Sequence, residues 1–110
     1  MDKQLKGWIP LSETAYYILL SLSEPRHGYG IIKYVESCTK GRIVLGSGTV
    51  YTTLGKMKKA KLIQVLQDQE RKTVYSLTSL GKTLLSYEIA RMKQVYLDTL
   101  EEEVKHHDKD

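Results

Sequence analysis

Apolar side chains return at Leu11, Ala15, Ile18 and Leu22, the spacing of one helical face, and predict a first helix. Ser12 and Glu13 suit its start, and Pro25 ends it near Ser23. A second periodic segment opens at His27-Gly28, carries Ile31, Val35 and Cys38 on one face, and stops at Lys40-Gly41, where glycine suits a C-terminal cap. Arg42 to Leu45 is short and rich in branched residues, so it reads as a brief strand. Gly46, Ser47 and Gly48 then interrupt the chain and offer Ser47 as the N-cap of a third helix, whose buried stripe is Val50, Leu54 and Met57. Leu62 to Gln67 and Thr73 to Leu77 alternate as strands do and are joined by the polar loop Asp68 to Lys72. Ser79 is placed to cap a last helix running to about Val104, with Leu85, Ile89, Met92, Tyr96 and Leu100 along one face.

Helix, helix, short strand, helix, hairpin is the order of a winged helix-turn-helix. The expected class is therefore mainly α (α+β), a winged helix-turn-helix with a long C-terminal dimerisation helix. Residues 1–78 form the expected DNA-binding domain, and residues 79–110 the dimerisation helix and tail. A helix from Ser79 to Val104 would be about 39 Å long at about 1.5 Å per residue, more than the preceding body can cover. Its apolar stripe needs a partner, and a second copy is the simplest one, because two-fold dimers match half-sites about 34 Å apart on DNA.

Charge sharpens this picture. The 110-residue chain has a net charge of +4, but residues 1–78 hold 12 Lys and Arg against 6 Asp and Glu, whereas residues 79–110 hold 5 against 7. Between Lys40 and Lys61 there are six basic residues and no acid. Such a field attracts polyanions, nucleic acid first among them. The longest apolar run, Tyr16 to Leu20, is far short of the roughly 18 residues of a membrane span, and no export signal is visible, so a cytoplasmic protein is expected. One cysteine, Cys38, agrees with a reducing compartment and is expected in the core.

The third helix, "GSGTVYTTLGKMKKAKLI", crowds hydroxyls at its front and lysines at its back. Short hydroxyls and free backbone N–H groups suit base edges and phosphates at the helix start, and long cations suit the phosphate backbone further along. The candidate DNA-binding residues are Ser47, Gly48, Thr49, Tyr51, Thr52, Lys56, Lys59 and Lys61, with Arg71 and Lys72 on the wing. Thr53 and Lys58 belong to the same run. Tyr51 sits at the border of the buried stripe, where its ring could pack while its hydroxyl reaches a phosphate. Gly55 is a poor helix former and removes bulk where DNA would approach. A lysine cluster is commonly just a solvated face; its place on the third helix beside a wing points to double-stranded DNA. Leu85, Ile89, Met92, Tyr96 and Leu100 are the candidate dimerisation residues.

No activated nucleophile, paired carboxylates or phosphate-binding glycine loop is present, so the chain does not read as an enzyme and implies no cofactor. His106 and His107 beside Glu101 to Glu103 read as a solvated tail, with no metal.

The segments "HGYGIIKYVE", "GSGTVYTTLGKMKKAKLI" and "VYSLTSLGKTLL" together resemble the PadR family of bacterial transcriptional regulators. The match rests on His27, Gly28, Tyr29 and Ile31; on Gly48, Thr49, Val50, Tyr51, Leu54, Lys56 and Met57; on Leu62 and Ile63; and on Tyr75, Leu77, Thr78 and Gly81. The short tail is similar to the smaller subfamily. The resemblance implies a homodimeric repressor on a pseudo-palindromic operator, released by a small hydrophobic or phenolic effector. Two departures stand out: Lys61 replaces a usual glycine, and the wing reads "DQERK" where a Gly-Gly-Arg run is common. Trp8 reads first as a core or interface anchor; the alternative is that Trp8 and Tyr96 line an effector pocket between subunits, although the last helix has no tryptophan. Two other functions remain open on the residues alone: an interaction module whose basic face binds an acidic protein, and a small-molecule-binding scaffold without DNA binding.

Overall fold

The computed structural model describes residues 3–69 and 72–109. Its elements are α1 (Lys3–Lys6), α2 (Glu13–Ser21), β1 (Arg26–His27), α3 (Gly28–Cys38), α4 (Ser47–Lys59), β2 (Ile63–Gln69), β3 (Lys72–Leu77) and α5 (Ser79–Lys109). The three strands form an antiparallel sheet in the order β1-β3-β2. The helices of the sequence reading are α2, α3, α4 and α5, so the third helix is α4; the winged helix-turn-helix with a long C-terminal helix is the observed architecture.

The periodic faces close on one core. Ala15, Ile18 and Leu22 meet Ile31 and Val35, and Val50, Leu54 and Met57 are all at most 2% exposed. Cys38 departs from its expected place and is exposed. The last turn of α3 is held instead by Thr39, whose hydroxyl donates to the Val35 carbonyl at 2.8 Å and accepts from Ile43 N at 3.0 Å. That turn faces outward, and the chain supplies Leu45 to the core in its place.

The strand expected at residues 42–45 does not form. The free edge of β3 is already taken by Arg26 and His27, which pair with Tyr75 and Val74. Arg42 is drawn to α2, where its guanidinium donates to Glu13 at 2.6 Å and to the Tyr17 hydroxyl at 3.0 Å. The hairpin is longer than its alternation suggested: β2 reaches Gln69 and β3 starts at Lys72, with a bulge between Val65 and Gln67. The N-terminal segment also contributes α1, whose Leu5 is fully buried.

Two caps differ by one residue from expectation. Gly46 is the N-cap of α4, without a side-chain hydrogen bond, and Ser47 is already the first helical residue. The cap hydroxyl of α5 belongs to Thr78, not Ser79: it accepts from Gly81 N at 3.1 Å and donates to the Lys61 carbonyl at 2.7 Å. Thr78 wins because this one hydroxyl satisfies the new helix while tying it to the end of α4. At Gly81 the chains approach so closely that a Cβ would enter the Leu62 carbonyl.

Helix α5 has 31 residues and is about 46 Å long at about 1.5 Å per residue. It continues past the expected end at Val104. Leu84, Leu85 and Glu88 are buried in its first turns, whereas every residue from Lys93 to His106 is exposed.

Candidate nucleic-acid interface

Helix α4 sorts its residues as its period demands. Val50, Leu54 and Met57 face the core, and Ser47, Gly48, Thr49, Tyr51, Thr52, Lys56 and Lys59 are all exposed. Lys61 is exposed just beyond the helix, and Thr53 is half-buried at the border. No acid occurs between Glu36 and Asp68, so nothing on the helix neutralises its lysines. The arrangement offers hydroxyl donors and acceptors at one end and mobile cations at the other, which suits a strand of phosphates with base edges beside it.

The end of α4 explains the unusual Lys61. With Ala60 as C-cap, Leu62 N donates to the Met57 carbonyl at 2.9 Å and Lys61 N to the Lys58 carbonyl at 3.0 Å. This is the Schellman arrangement, and its extra residue must be left-handed: Lys61 has φ 63°. A lysine there costs about 1 kcal/mol relative to glycine. Helix α3 ends the same way with Lys40 at φ 53°. Both strained positions carry an exposed cation.

Tyr51 is 53% exposed, and its ring lies across the first residue of α3. A Cβ at Gly28 would stand 2.6 Å from Tyr51 Cζ and 2.9 Å from Cε1. The Tyr75 hydroxyl of β3 is pushed up in pKa by burial first and then by Tyr51, and β3 pairs Tyr75 and Val74 with Arg26 and His27, just before Gly28. Among the described residues the Tyr51 hydroxyl has no hydrogen-bond partner. Next to Gly28, Tyr29 is 60% exposed, its ring stacked on His27 at 6.5 Å with the Lys33 ammonium 5.4 Å from its centroid. His27 itself caps α3, its Nδ1 accepting from Gly30 N at 3.0 Å. Sequence reasoning matched Tyr29 to a motif without assigning it a contact, and did not single out Lys33. Their signal was spacing: residues four apart at the start of a helix share one face.

On the wing, Lys72 is exposed, and Asp68 accepts from the Thr73 hydroxyl at 3.0 Å. Arg71 and Glu70 lie outside the described residues.

The long helix gathers a second set. Ile89, Tyr96 and Leu100 are 44%, 61% and 37% exposed and Met92 is half-buried, but Leu85 is spent in the core of its own chain. Glu88, which the sequence did not mark, is fully buried. It accepts from Leu11 N at 2.6 Å and from the Arg91 guanidinium, and these bonds, Arg91 foremost, hold its carboxyl below the usual carboxylate range against the opposing effect of burial. Glu88 lines a cavity of about 280 Å³ with Leu11, Glu13, Tyr16, Tyr17 and Met92. Neither Trp8 nor Tyr96 lines it; Trp8 is half-buried against the core. Among the described residues no group of three or more His, Cys, Asp or Glu could hold a metal, and no helix is long and apolar enough to cross a membrane.

The geometry agrees with known proteins. Residues 17–87 match the transcriptional regulator PadR-like family. A 37.1 kDa transposon-borne protein of Streptomyces fradiae is 30% identical over 79 residues, covering 71% of this chain but 22% of its own length. Among solved structures, a PadR-like transcription factor from Bacteroides fragilis is 26% identical with a TM-score of 0.66, covering 84% of this chain and 87% of that one. A transcriptional regulator from Clostridium thermocellum shares the fold at 19% identity, with a TM-score of 0.68 over 91% of this chain and 97% of that one. BpsR of Bordetella bronchiseptica, whose DNA binding is regulated by 6-hydroxynicotinic acid, shares it at 20% identity and a TM-score of 0.67, over 87% of this chain and 72% of its own. The matched family and these structural neighbours are transcription regulators, not enzymes. With the HGY, GTVY and YSLT segments in place on a winged helix-turn-helix, the chain belongs to the PadR-like family of transcriptional regulators.

Proposed function

We propose that the protein is a homodimeric repressor that binds a pseudo-palindromic operator in double-stranded DNA. The observation that carries this reading is the exposed face of α4, which presents Ser47, Thr49, Thr52, Lys56 and Lys59 with no acid among them. Residues 1–78 supply the reading unit, with Gly48, Lys61, Arg71 and Lys72 adding contacts and Tyr51 supporting α4 from its seat on the start of α3; residues 79–110 supply the dimerisation helix. Ile89, Met92, Tyr96 and Leu100 form the stripe that a second copy covers, and its exposure supports the dimer. The lysines supply salt-dependent affinity, whereas the hydroxyls and the shape of the operator supply the sequence preference. A small hydrophobic or aromatic effector then releases DNA by preferring a dimer whose two α4 helices are wrongly spaced, since a ligand shifts an equilibrium only through differential affinity. The cavity beside Glu88 at the root of α5 is the place that supports such a ligand.

The test is binding to the upstream region of the gene itself, at two salt concentrations, beside a scrambled duplex. Sequence-dependent binding that is lost in Thr52→Ala/Lys56→Ala supports the reading. Equal, weak binding to both duplexes overturns it for that region and directs attention to an acidic protein partner.

A further inference from the structure

From the contact between Tyr51 and Gly28 we infer that Tyr51 is a positioning residue for sequence discrimination: its ring, seated on the first residue of α3, sets the tilt at which α4 meets DNA. The inference rests on the DNA-binding reading above and adds a determinant that contacts no base. Three observations support it. Gly28 is buried, and any side chain there would occupy the space of the Tyr51 ring. Tyr51 stands in the second half of the first turn and a half of α4, between Thr49 and Thr52, where a shift is felt directly by the hydroxyls. The wing strand reaches the same neighbourhood, because Tyr75 and Val74 of β3 pair with Arg26 and His27, the two residues just before Gly28. The ring therefore joins the start of α3 to the front of α4, at the place where β3 of the wing is paired to the residues leading into α3.

The physical consequence is selective. Hydrogen bonds to base edges tolerate only a few tenths of an ångström around about 2.9 Å, so a displaced ring costs them first. Flexible lysines follow phosphates through such a shift and keep their affinity. Altering the seat should thus lower specificity more than it lowers affinity for arbitrary DNA.

The experiment first recovers an operator by selecting from a random duplex pool with the wild-type protein. Failure to enrich any sequence overturns the DNA-binding reading itself and this inference with it. With an operator in hand, Gly28→Ala, Tyr51→Ala, Tyr51→Phe and the double variant Gly28→Ala/Tyr51→Ala are compared on operator and scrambled duplex, with thermal unfolding in parallel. Gly28→Ala is expected to lose about tenfold in operator affinity, a coupling typical of residues in contact, while binding scrambled DNA as before. In the Tyr51→Ala background the same Gly28→Ala change should cost less than about twofold, because the ring it displaces is gone. Tyr51→Phe keeps the ring and should stay within about threefold of wild type. The inference is overturned if Gly28→Ala binds the operator normally, if the two losses multiply, or if Tyr51→Phe falls as far as Tyr51→Ala, which would assign the hydroxyl to a phosphate instead.

Discussion

Helices α4 and α5 are both amphipathic, yet they leave opposite surfaces uncovered. On α4 the apolar stripe is wholly consumed by the chain's own core, and what remains outside is hydroxyl and lysine. On α5 the core takes Leu84, Leu85 and Glu88 from the first turns, and beyond them Met92 is half-buried while Ile89, Val95, Tyr96, Leu97, Leu100 and Val104 stay in water. The difference shows that exposed residues, not amphipathicity, indicate what kind of partner a helix suits. A basic, hydroxyl-rich surface is complementary to a polyanion. An uncovered apolar stripe is complementary to another apolar stripe.

The sharpest way to break this contrast is to put charge on the second surface. Tyr96→Glu/Leu100→Glu is expected to weaken self-association by about 4 kcal/mol, seen as a monomer in sedimentation equilibrium, while the isolated fold melts as before. An unchanged sedimentation profile would mean that α5 does not use this stripe. Next in size is the junction where the two helices meet. Gly81→Ala should destabilise the fold by about 3 kcal/mol in thermal or urea unfolding, since backbone cannot move aside for the new methyl as a side chain can. Retention of wild-type stability would contradict the close approach to Leu62.

Glu88 tests the inner face of α5. Glu88→Gln should cost about 2 kcal/mol, because a charge-assisted bond to Arg91 is replaced by a neutral one. The pH dependence follows from the lowered carboxyl pKa. The unfolded chain binds this proton more readily than the folded one, so the contribution is complete above the ordinary carboxylate value of about 4.3 and disappears as pH falls through the folded value. Unfolding measured from neutral to acid pH should show a component of this sign that is absent in Glu88→Gln. The smallest effect concerns α4: Lys61→Gly should stabilise by about 1 kcal/mol by relieving the left-handed lysine, yet reduce DNA affinity and its salt dependence through the lost cation. A stabilised variant with undiminished binding would show that Lys61 is not part of the interface.

How legible each region was depends on how local its causes are. The buried stripe and the basic face of α4 repeat within a dozen residues, so periodicity displays them. Glu88 is the opposite case: an acid on a helix reads as surface, and its burial depends on a backbone N–H 77 residues earlier in the chain. The segment 42–45 has the branched residues of a strand, but two residues at Arg26 and His27, too few to show any alternation, occupy the sheet edge it would need. Ser79 looked like a cap, and only the distant Lys61 carbonyl makes Thr78 the better one. The Tyr51 seat was equally hidden, because Gly28 carries no side chain to signal what it admits.

The Thr78 junction has a mechanical reading. One hydroxyl ties the end of α4 to the start of α5, Thr78 N donates to the Leu62 carbonyl at 3.0 Å, and Gly81 closes the gap beneath it. The long helix is thereby a lever arm clamped at its short end. A sideways push at its free turns, tens of ångströms away, arrives at the clamp as torque and turns the last residues of α4 with it.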